Sequence, residues 1–331
     1  MISLSACNAE SLARAVAILR AGGLVAFPTE TVYGLGADAA NADAVKQVFA
    51  AKGRPQDHPL IVHIASAAQL SAWARDISAA AYTLAEKFWP GPLTLILRRA
   101  HSVSDVVTGG QDTVALRVPA HPLAQALLRA FGGGVVGPST NRFGHVSATT
   151  AEHVLQEFGD RIDCVLDGGA CALGIESTIV DLSAPLPALL RPGCITARDI
   201  EAALGAPLTA PDVHRPRAPG TLAKHYAPST PVILVEGDVI DELARSFARQ
   251  GQRVAVLARS VRQPLLAELM WITAPVDAAT YAHDLYANLR RLDAAACDVM
   301  LVEVPPPFLE WAAVRDRLGR AAAGSGATPG T

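Results

Sequence analysis

Leu24-Val25-Ala26-Phe27-Pro28-Thr29-Glu30-Thr31-Val32-Tyr33-Gly34-Leu35-Gly36 sets a short apolar run against a proline and then a polar island carrying two glycines. The apolar run predicts a buried strand over 24–27, and the island reads as the loop at its end. Upstream, Leu12, Val16 and Leu19 recur at helical spacing behind Asn8 as N-cap, and the pattern stops at Gly22. Downstream, Asn41 caps a second helix whose Val45, Val48 and Phe49 share one face. That helix ends at Gly53, a residue suited to the left-handed position that closes a helix. Helix, strand, loop and helix in this order place the chain in the α/β class.

The same reading predicts further strands at 60–64, 93–97, 114–118, 135–136, 164–166, 178–182 and 188–190. Helices fit 78–88, 122–131, 151–158 and 197–204, the last opening on a Thr196…Asp199 pair that resembles a capping box. These elements alternate without a strict strand–helix–strand rhythm, which favours a mixed sheet over a doubly wound parallel one. From 206 to 230 the periodicity is lost and proline accumulates, as in a linker or a functional loop. Strands at 232–235, 254–257, 270–273 and 299–304 then alternate with helices near 239–249, 278–292 and 308–318, the pattern of a small three-layer α/β domain. The expected organisation is therefore a larger domain over 5–205, a linker over 206–230, a small α/β domain over 231–320 and a disordered tail over 321–331. A length of 331 residues suits two domains.

Half the residues are hydrophobic and 18% are charged, which excludes global disorder. A formal net charge of −3 predicts no bulk attraction to nucleic acid or to an anionic membrane, and leaves room for a local basic site. Only four of the 28 basic residues are lysines: Lys46, Lys52, Lys87 and Lys224. The five cysteines are odd in number and form no C-x-x-C pair, so reduced thiols are expected and neither a disulfide framework nor a zinc site. The start Met1-Ile2-Ser3-Leu4 lacks the pattern of a secretory signal, and no apolar stretch is long enough for a membrane span. The expected location is cytoplasmic.

Three polar islands interrupt this apolar chain. They are 28–36, the run Lys52-Gly53-Arg54-Pro55 with His58 and His63, and Pro138-Ser139-Thr140-Asn141-Arg142-Phe143-Gly144-His145-Val146-Ser147. Taken singly, the first and third read as ordinary polar turns and the second as a solvated helix end. Neither a P-loop nor a full dinucleotide fingerprint is present, so spacing alone does not identify a nucleotide site. Taken together, Lys52 and Arg54 offer donors matched to phosphate oxygens, and Ser139, Asn141 and Ser147 add small neutral partners. Arg117 and Arg191 each end an apolar strand and need an anionic partner, either a structural carboxylate or a substrate.

Six segments in order resemble the two-domain YrdC-type threonylcarbamoyl-AMP synthases. They are 28–36, Lys52-Gly53-Arg54-Pro55 with Pro59-Leu60, Trp89-Pro90-Gly91-Pro92-Leu93-Thr94, Ser139-x-Asn141, Glu176-Ser177-Thr178-Ile179-Val180-Asp181 and Leu190-Arg191-Pro192-Gly193. His225-Tyr226-Ala227-Pro228 is similar to the linker signature of the two-domain form. The resemblance covers about residues 5–230 by motif and the terminal domain by position. It implies a YrdC-like twisted mixed sheet with a deep basic cavity. It also implies a nucleotidyltransferase that joins L-threonine, bicarbonate and ATP into L-threonylcarbamoyl-AMP and pyrophosphate, for N6-threonylcarbamoyladenosine modification of tRNA. By this resemblance Thr31, His63, Arg117 and Ser177 hold threonine. Lys52, Arg54, Thr113, Ser139, Asn141, Ser147 and Arg191 hold ATP, with His58 beside it. Lys52 and Arg54 are the catalytic candidates, and His225 and Tyr226 belong to a linker that closes as a lid. Mg²⁺ enters with ATP and is held mainly by phosphates, and the implied downstream partner is a tRNA threonylcarbamoyl transferase.

The sequence departs from the family pattern at Thr140 and Phe143, where many relatives carry small residues, and at His58, where an asparagine is common. Lys224 stands where the linker more often has arginine. Two other readings stay open at this level. One is a carbamoyl-adenylate former using carbamoyl phosphate, as in the related domain of hydrogenase-maturation proteins. The other is an RNA-binding module, weakened by the net charge and few aromatics.

Overall fold

A computed structural model describes residues 2–5, 9–209, 215–263 and 269–325. Asn8, read as a helix cap, lies outside them, as do 326–331 of the expected tail. The chain divides into two compact units, one of Met1–Phe143 with Ala148–Thr221 and one of Gly144–Ser147 with Leu222–Thr331.

The first unit is built on a ten-stranded mixed sheet. In chain order its strands are β1 (Ile2–Ser5), β2 (Val25–Phe27), β3 (Gly34–Asp38), β4 (Ile61–His63), β5 (Leu93–Arg98), β6 (Thr113–Arg117), β7 (Val135–Val136), β8 (Cys164–Asp167), β9 (Thr178–Asp181) and β10 (Ala188–Arg191). Across the sheet they run β1-β8-β2-β3-β7-β4-β6-β5-β9-β10. β4 and β6 are parallel, as are β5 and β9, whereas β5 and β6 are antiparallel. The mixed-sheet expectation therefore holds.

Alternation along the strands gives the sheet two different faces. One face, with Ala26, Leu35, Val62, Leu95, Leu116, Val136 and Val180, packs under the helices Ala42–Lys52 and Ala79–Phe88. Each fully buried side chain of this size contributes about 1.5–3 kcal/mol. The opposite face is apolar in two places. Val25, Phe27 and Val135 meet the helices Ala9–Arg20 and Pro122–Phe131, while Ile61, Ile96, Ala115 and Ile179 are covered by Ala218. On this second face the same alternation adds His63, Thr94 and Arg117.

Helix ends follow the sequence chemistry. Asn41 accepts from the backbone of Asp43 and Ala44, and Gly53 closes that helix at φ 63°. Thr196 and Asp199 form a complete capping box. Two expectations change. Residues 34–36 belong to β3 rather than to a loop, because a Cβ on Gly34 or Gly36 would lie 3.1 or 3.0 Å from the Phe27 ring of the paired strand. Glycine here permits close strand packing at the cost of any readable β signal. The final helix runs Ala312–Ser325 and so extends into the segment expected to be a tail; Ala321 is buried and Ser325 Oγ accepts from the Val232 amide.

The second unit holds a four-stranded, fully parallel sheet of β11 (Val232–Val235), β12 (Val254–Ala258), β13 (Met270–Thr273) and β14 (Val299–Glu303), ordered β11-β14-β12-β13. The helix Ile240–Arg249 covers the face presenting Val235, Val254, Val256 and Leu301. The helices Ala278–Ala294 and Ala312–Ser325 pack together against β12 and β11, completing three layers. Among the described residues no helix is long and apolar enough to cross a membrane.

Candidate active site

Lys52 lies three residues beyond Phe49 and four beyond Val48, so it continues the buried stripe of its helix. Its ammonium is carried inward, where Nζ donates to Ser139 O at 2.5 Å and to Asn141 O. The Phe143 amide returns a hydrogen bond to Lys52 O at 2.8 Å, and the Thr140 amide donates to Tyr33 O at 2.8 Å. The second and third islands are thus tied together and to the first. Burial, and secondarily the Arg54 guanidinium, hold the Lys52 pKa well below a lysine's ordinary value.

Arg54 donates through Nη2 to Pro59 O at 3.0 Å, and its guanidinium lies 5.8 Å from the Phe143 ring centre. His58 meets the same ring edge to face at 5.4 Å. Two of the departures from the family pattern therefore touch each other. Thr140, a further departure, is wholly buried and leaves Oγ1 without a hydrogen-bond partner among the described residues. His58 is held below the usual histidine range by burial and then by Arg54.

The threonine candidates gather on the second sheet face. Arg117 donates through Nη1 to Thr31 Oγ1 at 2.9 Å and through Nε to Gly91 O at 3.2 Å. Its Nη2 pairs with Glu30 Oε1 at 2.7 Å, and Glu30 Oε2 is fixed by the Ala120 amide at 2.9 Å. His63 sits beside Arg117 in the strand register and edge-on to Phe27. Burial, and then Arg117, push His63 down to about 3, so it is a neutral hydrogen-bonding group near pH 7.

Ser177 Oγ and Thr94 Oγ1 are 2.7 Å apart. Arg191 grips Ser177 through its carbonyl and hydroxyl and donates through Nη1 to Pro219 O at 2.8 Å. Arg215 pairs with buried Asp181 at 3.0 Å, so the start of the linker is fastened to the first unit. Thr113 lies on the face of Arg117, four residues earlier in β6.

Three expected residues fall in the second unit. Ser147 is buried and its carbonyl accepts from Arg290 Nε at 3.2 Å. Tyr226, at φ 59°, stacks on Tyr286 and lies 5.3 Å from the Arg317 guanidinium, with His225 against it. Glu30 and Thr94 were not singled out from the sequence. Both stood inside quoted motifs, and Glu30 is the acidic neighbour of Thr31 that an arginine ending a buried strand calls for.

Residues 17–193 match the Sua5/YciO/YrdC family, described as telomere recombination, and residues 195–323 match the threonylcarbamoyl-AMP synthase C-terminal domain. A threonylcarbamoyl-AMP synthase of Pyrococcus abyssi is 43% identical over 87% of each chain. One of Bacillus subtilis is 41% identical over 96% of this chain and 94% of its own. The crystal structure of Pyrococcus abyssi Sua5 in complex with L-threonine superposes with a TM-score of 0.91, at 39% identity, over 98% of both chains.

Proposed function

Since the chain belongs to the Sua5/YciO/YrdC family, we propose that it is an L-threonylcarbamoyladenylate synthase working in the first step of tRNA threonylcarbamoyladenosine formation. The observation that carries this reading is the single loop 28–33. Through Thr31 it touches Arg117, and through Tyr33 it holds the 139–143 segment that Lys52 grips. Two groups of cations and hydroxyls, suited to two anionic substrates, are therefore built onto one frame.

Threonine's carboxylate is received by Arg117 with Thr31, His63 and Ser177. Its amine adds to carbon dioxide from bicarbonate and loses a proton to give a carbamate, whose ionised oxygen is already a nucleophile. That oxygen attacks the α-phosphorus of ATP, the bond from the α-phosphorus to the bridging oxygen breaks, and pyrophosphate departs. The difficulty is the approach of anions, which Lys52 and Arg54 offset along with the hydroxyls and amides of the 139–141 segment. Arg191 braces Ser177 and the linker at Pro219. Among the described residues no three His, Cys, Asp or Glu side chains converge as a metal site. Magnesium enters as MgATP, on phosphates and water. Thr113 and His58 complete the nucleotide's surroundings.

Relatives matching over most of the chain carry the synthase name, and neither the carbamoyl-phosphate reading nor the RNA-module reading has an observation in its favour. Incubation with ATP, L-threonine, bicarbonate and Mg²⁺ is expected to give threonine-dependent pyrophosphate and a threonylcarbamoyl adenylate. Pyrophosphate release indifferent to threonine would overturn the proposal.

A further inference from the structure

The second unit contains a cavity of about 1080 Å³ that the synthase reading does not use. β14 lies between β11 and β12 in the sheet. The chain leaves β11 for the helix Ile240–Arg249 and leaves β14 for the helix Ala312–Ser325. When the exits of neighbouring parallel strands part to opposite faces, a crevice opens at their carboxyl ends, the place where open α/β sheets bind ligands. The cavity is lined from three such exits: 236–238 after β11, 259–262 after β12 and 304–307 after β14.

Its walls differ in chemistry. Arg262 and Arg315 stand exposed at the rim, and neither forms an ion pair among the described residues. Across from the β12 exit, the β11 exit contributes the carboxylates of Glu236 and Asp238. A third wall is Pro305-Pro306-Pro307, apolar and without backbone donors.

The floor is already organised. Glu303 is buried and accepts from the amides of Arg259 at 2.6 Å and Ser260 at 2.8 Å, and from the Ser260 hydroxyl. The chain's own carboxylate thus fills the anion-binding backbone turn after β12 and fixes Arg259 at 3.4 Å. Arg259 Nε is buried with no hydrogen-bond partner among the described residues. Gly237 passes so close that a Cβ would lie 3.3 Å from Ser260 Oγ and 3.4 Å from Glu303 Oε1, so the missing side chain keeps the floor open.

We propose that this cavity binds a nucleoside phosphate. The phosphate pairs with Arg262 and Arg315, the sugar hydroxyls donate to Glu236 and Asp238, and the base lies against the proline run. A bare polyanion is disfavoured by the carboxylates, and an apolar ligand by the arginines. A metal ion is disfavoured because no suitable cluster exists among the described residues. Guanidinium forks suit phosphate, and carboxylates only accept, as sugar hydroxyls require. The size suits a small-molecule site.

The test is calorimetric titration of the full chain with AMP, GMP, CMP and UMP. The Arg54→Ala background weakens the catalytic nucleotide site. At least one nucleotide is expected to bind that background with one-to-one stoichiometry. Adding Arg262→Glu with Arg315→Glu is expected to weaken it at least tenfold, and Gly237→Leu to do likewise by occlusion. Both arginines are exposed, so an unchanged melting temperature identifies a folded variant. Failure of all four nucleotides to bind, or binding indifferent to the arginine reversals, overturns the proposal. Binding of an RNA oligomer with none of the mononucleotides also overturns it. Threonine-dependent pyrophosphate release by the reversals in the wild-type background keeps the synthase reading separate from this outcome.

Discussion

Lys52 Nζ lies 2.5 Å from the carbonyl oxygen of Ser139 and also donates to Asn141 O, so the helix end and the 139–143 segment form one rigid object. The lysine's first task is to hold the loop whose hydroxyl and amides the proposed function assigns to the nucleotide. Lys52→Met keeps the buried stem and removes the donors. Loss of a hydrogen bond to a charged group costs about 1.5–3 kcal/mol, roughly 10- to 150-fold in rate. Threonine-dependent pyrophosphate release by Lys52→Met and by Arg54→Ala is expected to fall by that factor with circular dichroism unchanged.

The depressed pKa of Lys52 has a thermodynamic signature. An arriving phosphate favours the charged amine and raises its pKa. Binding of MgATP therefore takes up protons at any pH between the free and bound values. Calorimetry in two buffers of different ionisation enthalpy is expected to show uptake of up to one proton, and Lys52→Met is expected to lose Lys52's share of it.

Glu30 and Arg117 form an ion pair in which both side chains are buried. Removing one partner of such a pair costs about 3–5 kcal/mol, because the other charge is left without compensation. Glu30→Ala is thus expected to lower the unfolding free energy by about that amount in urea titration. Glu30→Gln keeps a hydrogen-bond acceptor and is expected to lose less stability, while raising the KM for threonine more than that for ATP. Arg117→Lys cannot reproduce the fork that reaches Thr31, Glu30 and Gly91 together, and threonine binding should suffer similarly.

His58 and Phe143 replace residues common in relatives, and the two rings meet at 5.4 Å. Aromatic pairs of this geometry contribute about 0.5–1.5 kcal/mol beyond area burial. A double-mutant cycle with His58→Asn and Phe143→Ser, read as the KM for ATP and as stability, is expected to show coupling of that size. Strict additivity would mean that the two departures arose independently of their contact.

The mixed sheet, the helix caps and most strands were legible because burial and capping leave strong local patterns, as at Val45-x-x-Val48-Phe49 behind Asn41. β3 was not, since Gly34 and Gly36 are chosen for their approach to Phe27 and carry no strand propensity. The candidate site was legible as charge types, Lys52, Arg54, Arg117 and Arg191, but their partners were not. Glu30 and Pro219 meet Arg117 and Arg191, and Thr94 meets Ser177, through long-range pairing that no spacing encodes. Ser147 looked continuous with Asn141 in sequence, yet the backbone of Gly144–Ser147 bonds to Ala227 and Arg290 and groups with the second unit.

His63 offers a test through pH. Burial and Arg117 hold its folded pKa down to about 3, against roughly 6.5 in an unfolded chain. Between those values the unfolded state binds the extra proton, so stability falls as pH drops from about 6.5 towards 3 and is flat, for this group, above 6.5. Urea unfolding at pH 7.5, 6 and 5 is expected to show this decline, and His63→Gln to flatten the part due to this residue. The same neutrality governs binding. Because His63 does not titrate near neutral pH, the KM for threonine is expected to stay level between pH 6 and 8 in the wild type. A steep rise in KM on acidification through pH 6.5 that His63→Gln removes would show instead that the ring protonates in the free enzyme, and that Arg117 does not hold it neutral.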